Sequence, residues 1–304
     1  MEEELVMIKF IASDMDGTLL NSDHDIDKET VEAIKRAEEA GMTFAISTGR
    51  EYESVKGLLE KHNLKVECVL SNGAEYRDED GNILEVINIK EESAKKIIEL
   101  LDKHHLSARI FTDKGIFTTS TEEEALKEII FRTMSFNPGI SEDEAREVAE
   151  NLGFFTCLQY IDDVEEFFKG GVEVRKFVAF HNDIEIIDTM KKVLSEIDGL
   201  AISSSFRDNI EITDINAQKG IILERITAKK GLANNEVMIL GDSFNDYSMF
   251  EIFEESVAMK NAIDEVKAIA KYITAANDDL GVAKAINYAI DNKLDIILKS
   301  DKNN

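Results

Sequence analysis

Residues 7–18 read MIKFIASDMDGT, a mostly apolar run that stops at an acidic cluster and is followed by glycine and threonine. Short apolar runs without polar alternation suit strands covered on both faces, as in a parallel sheet. Residues 43–47 (TFAIS), 68–70 (CVL), 237–240 (VMIL) and 256–259 (SVAM) repeat the theme. Between the first two runs, Val31, Ile34, Ala37 and Ala40 recur at three-residue steps. That spacing predicts a helix over 28–40, with Asp27 as N-cap and Gly41 as the stop. Strand–helix–strand alternation of this kind predicts an α/β fold with a doubly wound, Rossmann-like parallel sheet.

The middle of the chain reads differently. Residues 107–119 (SARIFTDKGIFTT) suggest two strands around Asp113-Lys114-Gly115. Helical stretches follow near 121–133 and 141–151, then a strand at 174–181, a helix near 183–197 and a second hairpin, LAISSSFRDNIEITD, at 200–214. Hairpins mixed with helices indicate an α+β unit with an antiparallel sheet. The expected organisation is a core formed by residues 1–85 and 213–304, interrupted by an inserted α+β domain at 86–212. A chain of 304 residues accommodates both, at roughly 100–200 residues per domain.

Charge narrows the partners. With 35 basic against 62 acidic side chains, the formal net charge is −27. Nucleic acids and anionic membranes would be repelled, whereas a small phosphorylated ligand accompanied by a divalent cation would not. Cys68 and Cys157 form neither a zinc spacing nor a disulfide framework, which fits a reducing compartment. The first residues carry three glutamates where a signal peptide carries positive charge. No apolar run reaches the roughly 18 residues of a membrane span. The expectation is a soluble, cytoplasmic protein.

Four short stretches concentrate groups capable of chemistry. Asp14 and Asp16 sit beyond the carboxyl end of a strand, where open α/β sheets bind ligands. Two carboxylates this close crowd like charge unless a cation or proton relieves it; a solvated turn is the plainer alternative. Gly241-Asp242-Ser243-Phe244-Asn245-Asp246 follows another apolar run. If a helix opens there, Asp242 and Asp246 share one face, although Asp242 also reads as a simple N-cap. Oxygen donors without nearby His or Cys suit a hard cation such as Mg²⁺. Ser47-Thr48-Gly49-Arg50 offers a hydroxyl, a glycine and a guanidinium suited to an oxyanion, or merely an ordinary strand-to-helix turn. Lys219 precedes a helical run and, taken alone, reads as a surface charge. HExxH, GxxxxGK[ST] and GxSxG patterns are absent from the sequence.

Together these stretches resemble the haloacid dehalogenase-like superfamily of phosphohydrolases, and within it the Cof-type subfamily with the larger α/β (type IIB) cap. DMDGT at 14–18, Thr48, Lys219 and GDSFND at 241–246 correspond to its four motifs. SNGA at 71–74, MKNA at 259–262 and NDDLGVAKAI at 277–286 resemble subfamily features. Leu280 departs from the acidic residue that relatives usually carry before the glycine. The resemblance implies Asp14 as nucleophile and Asp16 as general acid and base. It implies Mg²⁺ held by Asp14, Asp242 and the backbone carbonyl of Asp16, with Ser243 assisting and Asp246 either ligating or supporting from behind. Thr48, the Gly49 N–H, Lys219, Asn245 and the Met15 N–H would grip the phosphoryl oxygens. An aspartate at position 16 favours a phosphatase, since related ion pumps carry threonine there and dehalogenases lack the acid. The implied activity is Mg²⁺-dependent hydrolysis of small phosphomonoesters, such as sugar phosphates or phosphorylated cofactors, through an aspartyl phosphate. The alternatives are a phosphomutase and a non-catalytic phosphometabolite sensor. The inserted domain resembles the cap that sets specificity; Arg175, Lys176 and Arg207 are its first candidates for substrate contact, against a reading as surface charge.

Overall fold

The computed structural model describes residues 7–137 and 139–299; the N-terminal glutamates lie outside the described residues. The chain forms two compact units. One comprises the segment up to Ile87, Ser203–Phe206 and everything described from Ile215 on; the other comprises Asn88–Ile202 and Arg207–Asp214.

In the first unit an eight-stranded sheet runs in the order Tyr272–Ile273, Glu255–Ala258, Val237–Gly241, Phe10–Ser13, Thr43–Ser47, Glu67–Leu70, Glu75–Arg77, Ile83–Val86. The first six strands are parallel, and the last two add an antiparallel hairpin at the edge. Phe10, Ile11, Ala12, Ile46, Ile239 and Leu240 are fully buried, which is why these strands read as unbroken apolar runs. The strand order turns back on itself at Phe10–Ser13, because the chain proceeds to Thr43–Ser47 on one side and returns as Val237–Gly241 on the other. Ser13 lies in register with both Ile46 and Leu240. Asp14, Ser47 and Gly241 therefore leave the sheet at one level. Such a switch point is where open α/β sheets place ligands.

The helix Lys28–Glu39 forms where the three-residue spacing predicts it, burying Val31, Ile34 and Ala37. Its N-cap position is Asp27, but the Asp27 side chain makes no capping bond and instead accepts from Asn21 Nδ2 at 2.9 Å. The helix Tyr52–His62 escaped the periodicity argument because only Val55 and Leu59 on it are buried. The edge hairpin escaped because Ile83 and Leu84 are exposed.

In the second unit the sheet order is Leu200–Ser203, Asn209–Asp214, Val174–Phe180, Ala108–Thr112, Gly115–Thr118, Gln159–Tyr160. Val174–Phe180 pairs antiparallel with Asn209–Asp214 and with Ala108–Thr112, Ala108–Thr112 pairs antiparallel with Gly115–Thr118, and Gly115–Thr118 pairs parallel with Gln159–Tyr160. One face, with Ala108, Ile110, Phe177, Ala179, Ile210 and Ile212, packs on Ile97, Ile98, Leu101, Ile187, Met190 and Leu194 of the helices Glu91–Lys103 and Ile184–Ser195. Strand alternation sends Arg109, Phe111, Lys176 and Glu211 to the other face. Among the described residues no helix is long and apolar enough to cross a membrane.

Candidate active site

Three carboxylates and one ammonium meet at the carboxyl end of the first unit's sheet. Asp14 extends directly from Phe10–Ser13, and its N–H donates to the Leu240 carbonyl at 2.9 Å. Lys219 is the first residue of the helix Lys219–Lys229 and is fully buried. Its Nζ donates to Asp14 Oδ1 and to Asp246 Oδ1, each at 2.6 Å. Gly220 makes this placement possible: a Cβ there would lie 2.1 Å from the Ser248 carbonyl oxygen, so only glycine lets the helix approach so closely. Asp14, Asp242 and Asp246 each offer an oxygen within 4.8 Å of the others.

Asp242 receives no ion pair from Lys219. Thr18 Oγ1 donates to its Oδ1 at 2.8 Å. Gly17, at φ +82°, backs this carboxylate so tightly that a Cβ would stand 2.6 Å from Asp242 Oδ2. The DMDGT pattern thus gains a meaning for its last two residues: glycine makes room for Asp242 and threonine orients it.

The expected helix across 242–246 is absent. A single 3₁₀ turn, Phe244–Asp246, precedes the helix Tyr247–Ile252. Asp242 does not cap it; the Asp242 and Ser243 N–H groups both donate to Asp246 Oδ2, at 2.9 and 3.1 Å. Both Asp246 oxygens are thereby occupied, one by Lys219 and one by the loop. The Ser243 hydroxyl donates to Asn245 Oδ1 at 2.8 Å. Lys219 is no surface charge.

The electrostatics follow from three acids sharing one base. Burial, then the neighbouring Asp246 and Asp242, push Asp14 well above the usual carboxylate range, against the pull of Lys219. Burial and Asp246 push Asp242 up to about 7. Burial would favour the neutral amine of Lys219, but Asp14 and Asp246 outweigh it and raise its pKa. The donor set is all oxygen, crowded and short of positive charge, which fits a hard divalent cation.

A second group adjoins the first. Arg50 grips Asp16 with two bonds, Nε to Oδ2 at 2.8 Å and a terminal nitrogen to Oδ1 at 2.5 Å. The guanidinium expected to meet an oxyanion instead meets the Asp16 carboxylate. Thr48 is buried, and its Oγ1 accepts from the Arg50 N–H at 3.2 Å. Ser71, Asn72 and Gly73 all have positive φ. This strained turn donates from Ser71 N–H to the Arg50 carbonyl at 2.9 Å and from Asn72 N–H to the Thr48 carbonyl at 3.0 Å. The SNGA stretch is thus the support on which STGR rests. Met15 points into the apolar core, leaving only its backbone for a ligand, and Gly49 lies between Thr48 and Arg50. Leu280, left-handed at φ 61°, packs half-buried against that core.

Of the second unit's candidates, Lys176 is 3% exposed and lies 3.4 Å from Glu211, Arg175 is half-buried, and Arg207 is exposed. Surface charge describes Arg207 and not Lys176.

Fold, switch-point placement and carboxylate–lysine cluster together define an acidic strand-end centre able to hold a hard cation. The chain belongs to the haloacid dehalogenase-like hydrolase family, which it matches over residues 11–286. It is similar to the 5-amino-6-(5-phospho-D-ribitylamino)uracil phosphatase YwtE of Bacillus subtilis, 32% identical over 92% of this chain and 97% of that one. It is also similar to the phosphatase YwpJ of the same organism, 30% identical over 93% and 100%. A solved haloacid dehalogenase-like hydrolase from B. subtilis superposes with a TM-score of 0.81 at 29% identity, covering 92% of this chain and 99% of that one.

Proposed function

We propose that the protein is a cytoplasmic, Mg²⁺-dependent phosphatase of small phosphomonoesters that works through a phosphorylated Asp14. The observation that carries this is the buried cluster in which Lys219 holds one oxygen of Asp14 and leaves the other unengaged by it. Asp14 and Asp242, with the backbone carbonyl of Asp16, are the residues that would hold Mg²⁺. An ion held there would offset the repulsion between a carboxylate and a phosphate dianion and would polarise the phosphoryl group. Asp246, with both oxygens committed, supports Lys219 and the Asp242 loop from behind, and Ser243 steadies the same loop.

The free oxygen of Asp14 attacks phosphorus, and the bond from phosphorus to the leaving oxygen breaks. Asp16, released from the Arg50 pair and protonated from solvent, delivers the proton that oxygen needs. Asp16 then takes a proton from water as the water attacks phosphorus, and the acyl phosphate opens to inorganic phosphate and the Asp14 carboxylate. Lys219, Thr48, Asn245 and the Met15 and Gly49 N–H groups stabilise the phosphoryl oxygens. The segment 86–212 serves as the cap that selects the leaving group, a role supported by its separate core and antiparallel sheet. The similarity to YwtE, a phosphatase of a phosphorylated ribitylaminouracil, supports a small phosphorylated metabolite as the substrate class, and the similarity to the phosphatase YwpJ supports the reaction. Two free cysteines, Cys68 buried and Cys157 exposed, support a reducing compartment.

The test is hydrolysis of p-nitrophenyl phosphate with Mg²⁺, with EDTA, and by Asp14→Asn. Turnover that requires the ion and disappears in the variant is expected. Turnover unaffected by either, or no turnover across a broad panel of phosphometabolites, contradicts the reading.

A further inference from the structure

The stretches MKNA and NDDLGVAKAI lie outside the chemistry just described, yet they reach the turn that carries Asp16. That turn, Met15–Leu19, is closed by Leu19 N–H to the Asp14 carbonyl at 3.2 Å and Leu20 N–H to the Met15 carbonyl at 2.9 Å. Within it Asp16 (φ −77°, ψ 115°) and Gly17 (φ 82°, ψ −2°) leave helical geometry. A wide turn interrupted at two consecutive residues does not fix its own direction, so bonds from outside must do so.

Thr18 to Asp242 and Arg50 to Asp16 are side-chain bonds of this kind; the bonds to the turn's main-chain carbonyls come from two asparagines. Asn261 Nδ2 donates to the Gly17 carbonyl at 2.7 Å, and Asn261 Oδ1 accepts from the Asn277 N–H at 3.0 Å. Asn277 Nδ2 donates to the Leu20 carbonyl at 2.9 Å. The two residues form a closed bracket across positions 17 and 20. The bracket is anchored to the catalytic loops, because the Ile263 N–H donates to the Asp242 carbonyl at 2.9 Å. Beside it, Asp278 Oδ1 accepts from the Ser22 N–H at 2.7 Å. Asn261 is exposed, so core packing does not explain an amide whose two ends both reach the main chain.

We propose that Asn261 and Asn277 are positioning residues that hold the Asp16 turn so that its carboxylate can serve the leaving oxygen. Arg50 holds both oxygens of the same side chain and must release one for proton transfer; the asparagine bracket fixes its backbone. The proposal rests on the acid–base role proposed above for Asp16.

The experiment compares kcat/KM for p-nitrophenyl phosphate, whose leaving group departs without a proton, with that for glycerol phosphate, whose alkoxide needs one. Asn261→Ala and Asn277→Ala are each measured in the wild-type and Asp16→Asn backgrounds. A general acid contributes roughly 10²–10⁴-fold, so losing its alignment should lower kcat/KM for the alkyl ester by about tenfold or more. The aryl ester should change by less than about threefold. In the Asp16→Asn background both asparagine variants should become silent, as expected of residues acting through one group. Equal losses on both esters, no loss, or the same loss without Asp16 would overturn the proposal. If Asp16→Asn itself spares the alkyl ester, the acid–base reading fails as well, and that result is separable because it appears without any asparagine variant.

Discussion

Each unit buries charge, and the two do so in different ways. In the second unit Lys176 meets Glu211 at 3.4 Å and Arg109 meets Glu128 at 3.0 Å, and Lys191 and Arg132 add positive charge near the same two acids, so base at least matches acid. At the strand ends of the first unit, Lys219 serves Asp14 and Asp246 while Asp242 is left with a hydroxyl. A matched buried pair costs roughly what it returns and is consistent with architecture. An acidic surplus that the chain itself leaves uncompensated is stable only when something else supplies positive charge. That difference, more than burial, separates a ligand site from a structural ion pair.

The largest effect expected from disturbing it is chemical. Asp14→Asn should reduce phosphatase turnover by at least about 10³-fold because it removes the nucleophile, while the protein stays folded, since the isosteric amide oxygen can still accept from the buried Lys219. Next comes Lys219→Ala, which should cost about 10²–10³-fold in kcat, the scale of losing a fixed charge at the reacting group. It should also lower the melting temperature of the metal-free protein more than that of the Mg²⁺-loaded one, since it leaves three carboxylates without their ammonium.

The matched pair should answer differently. Lys176→Met alone removes the ammonium paired with the buried Glu211 carboxylate, which keeps Asn209 Nδ2 as a donor, and should cost about 3 kcal/mol in denaturant unfolding, whereas Lys176→Met with Glu211→Leu should return to within about 1 kcal/mol of wild type. A double variant as damaged as the single one would erase the contrast.

The most gradual effect is in pH. The Asp242 pKa is raised in the fold to about 7, so its protonated form favours the native state. That contribution is complete below the unfolded carboxylate range near pH 4 and is lost as pH rises toward 7. Metal-free protein should lose up to about 1.4 kcal/mol per pH unit from this group across that window. Asp242→Asn or saturating Mg²⁺ should flatten the slope, as seen in chemical denaturation at stepped pH.

How much of this was legible beforehand follows the same physics. Parallel strands buried on both sides announce themselves as apolar runs, so 43–47 and 237–240 were readable, and with them the switch point that positions Asp14. The hairpin signals at 107–119 and 200–214, mixed with helical stretches, indicated the antiparallel character of the second sheet. The helix Tyr52–His62 was not readable because its partly exposed surface carries little apolar period. Within the site, residue types at strand ends indicated the acids. Their wiring was hidden, because it depends on contacts between distant segments: Lys219 reaching Asp14, Thr18 turning to Asp242, Arg50 choosing Asp16. Asn261 gave no chemical signal of its own, since an amide that binds a carbonyl looks like any surface asparagine until the carbonyl's owner is known.

The most direct test is to trap the acyl phosphate. Enzyme mixed with substrate and Mg²⁺, quenched rapidly and reduced with borohydride, should carry homoserine at position 14 in peptide mass spectra, and none when EDTA replaces the ion. Turnover without homoserine there, or with the label at another aspartate, would contradict a mechanism centred on Asp14.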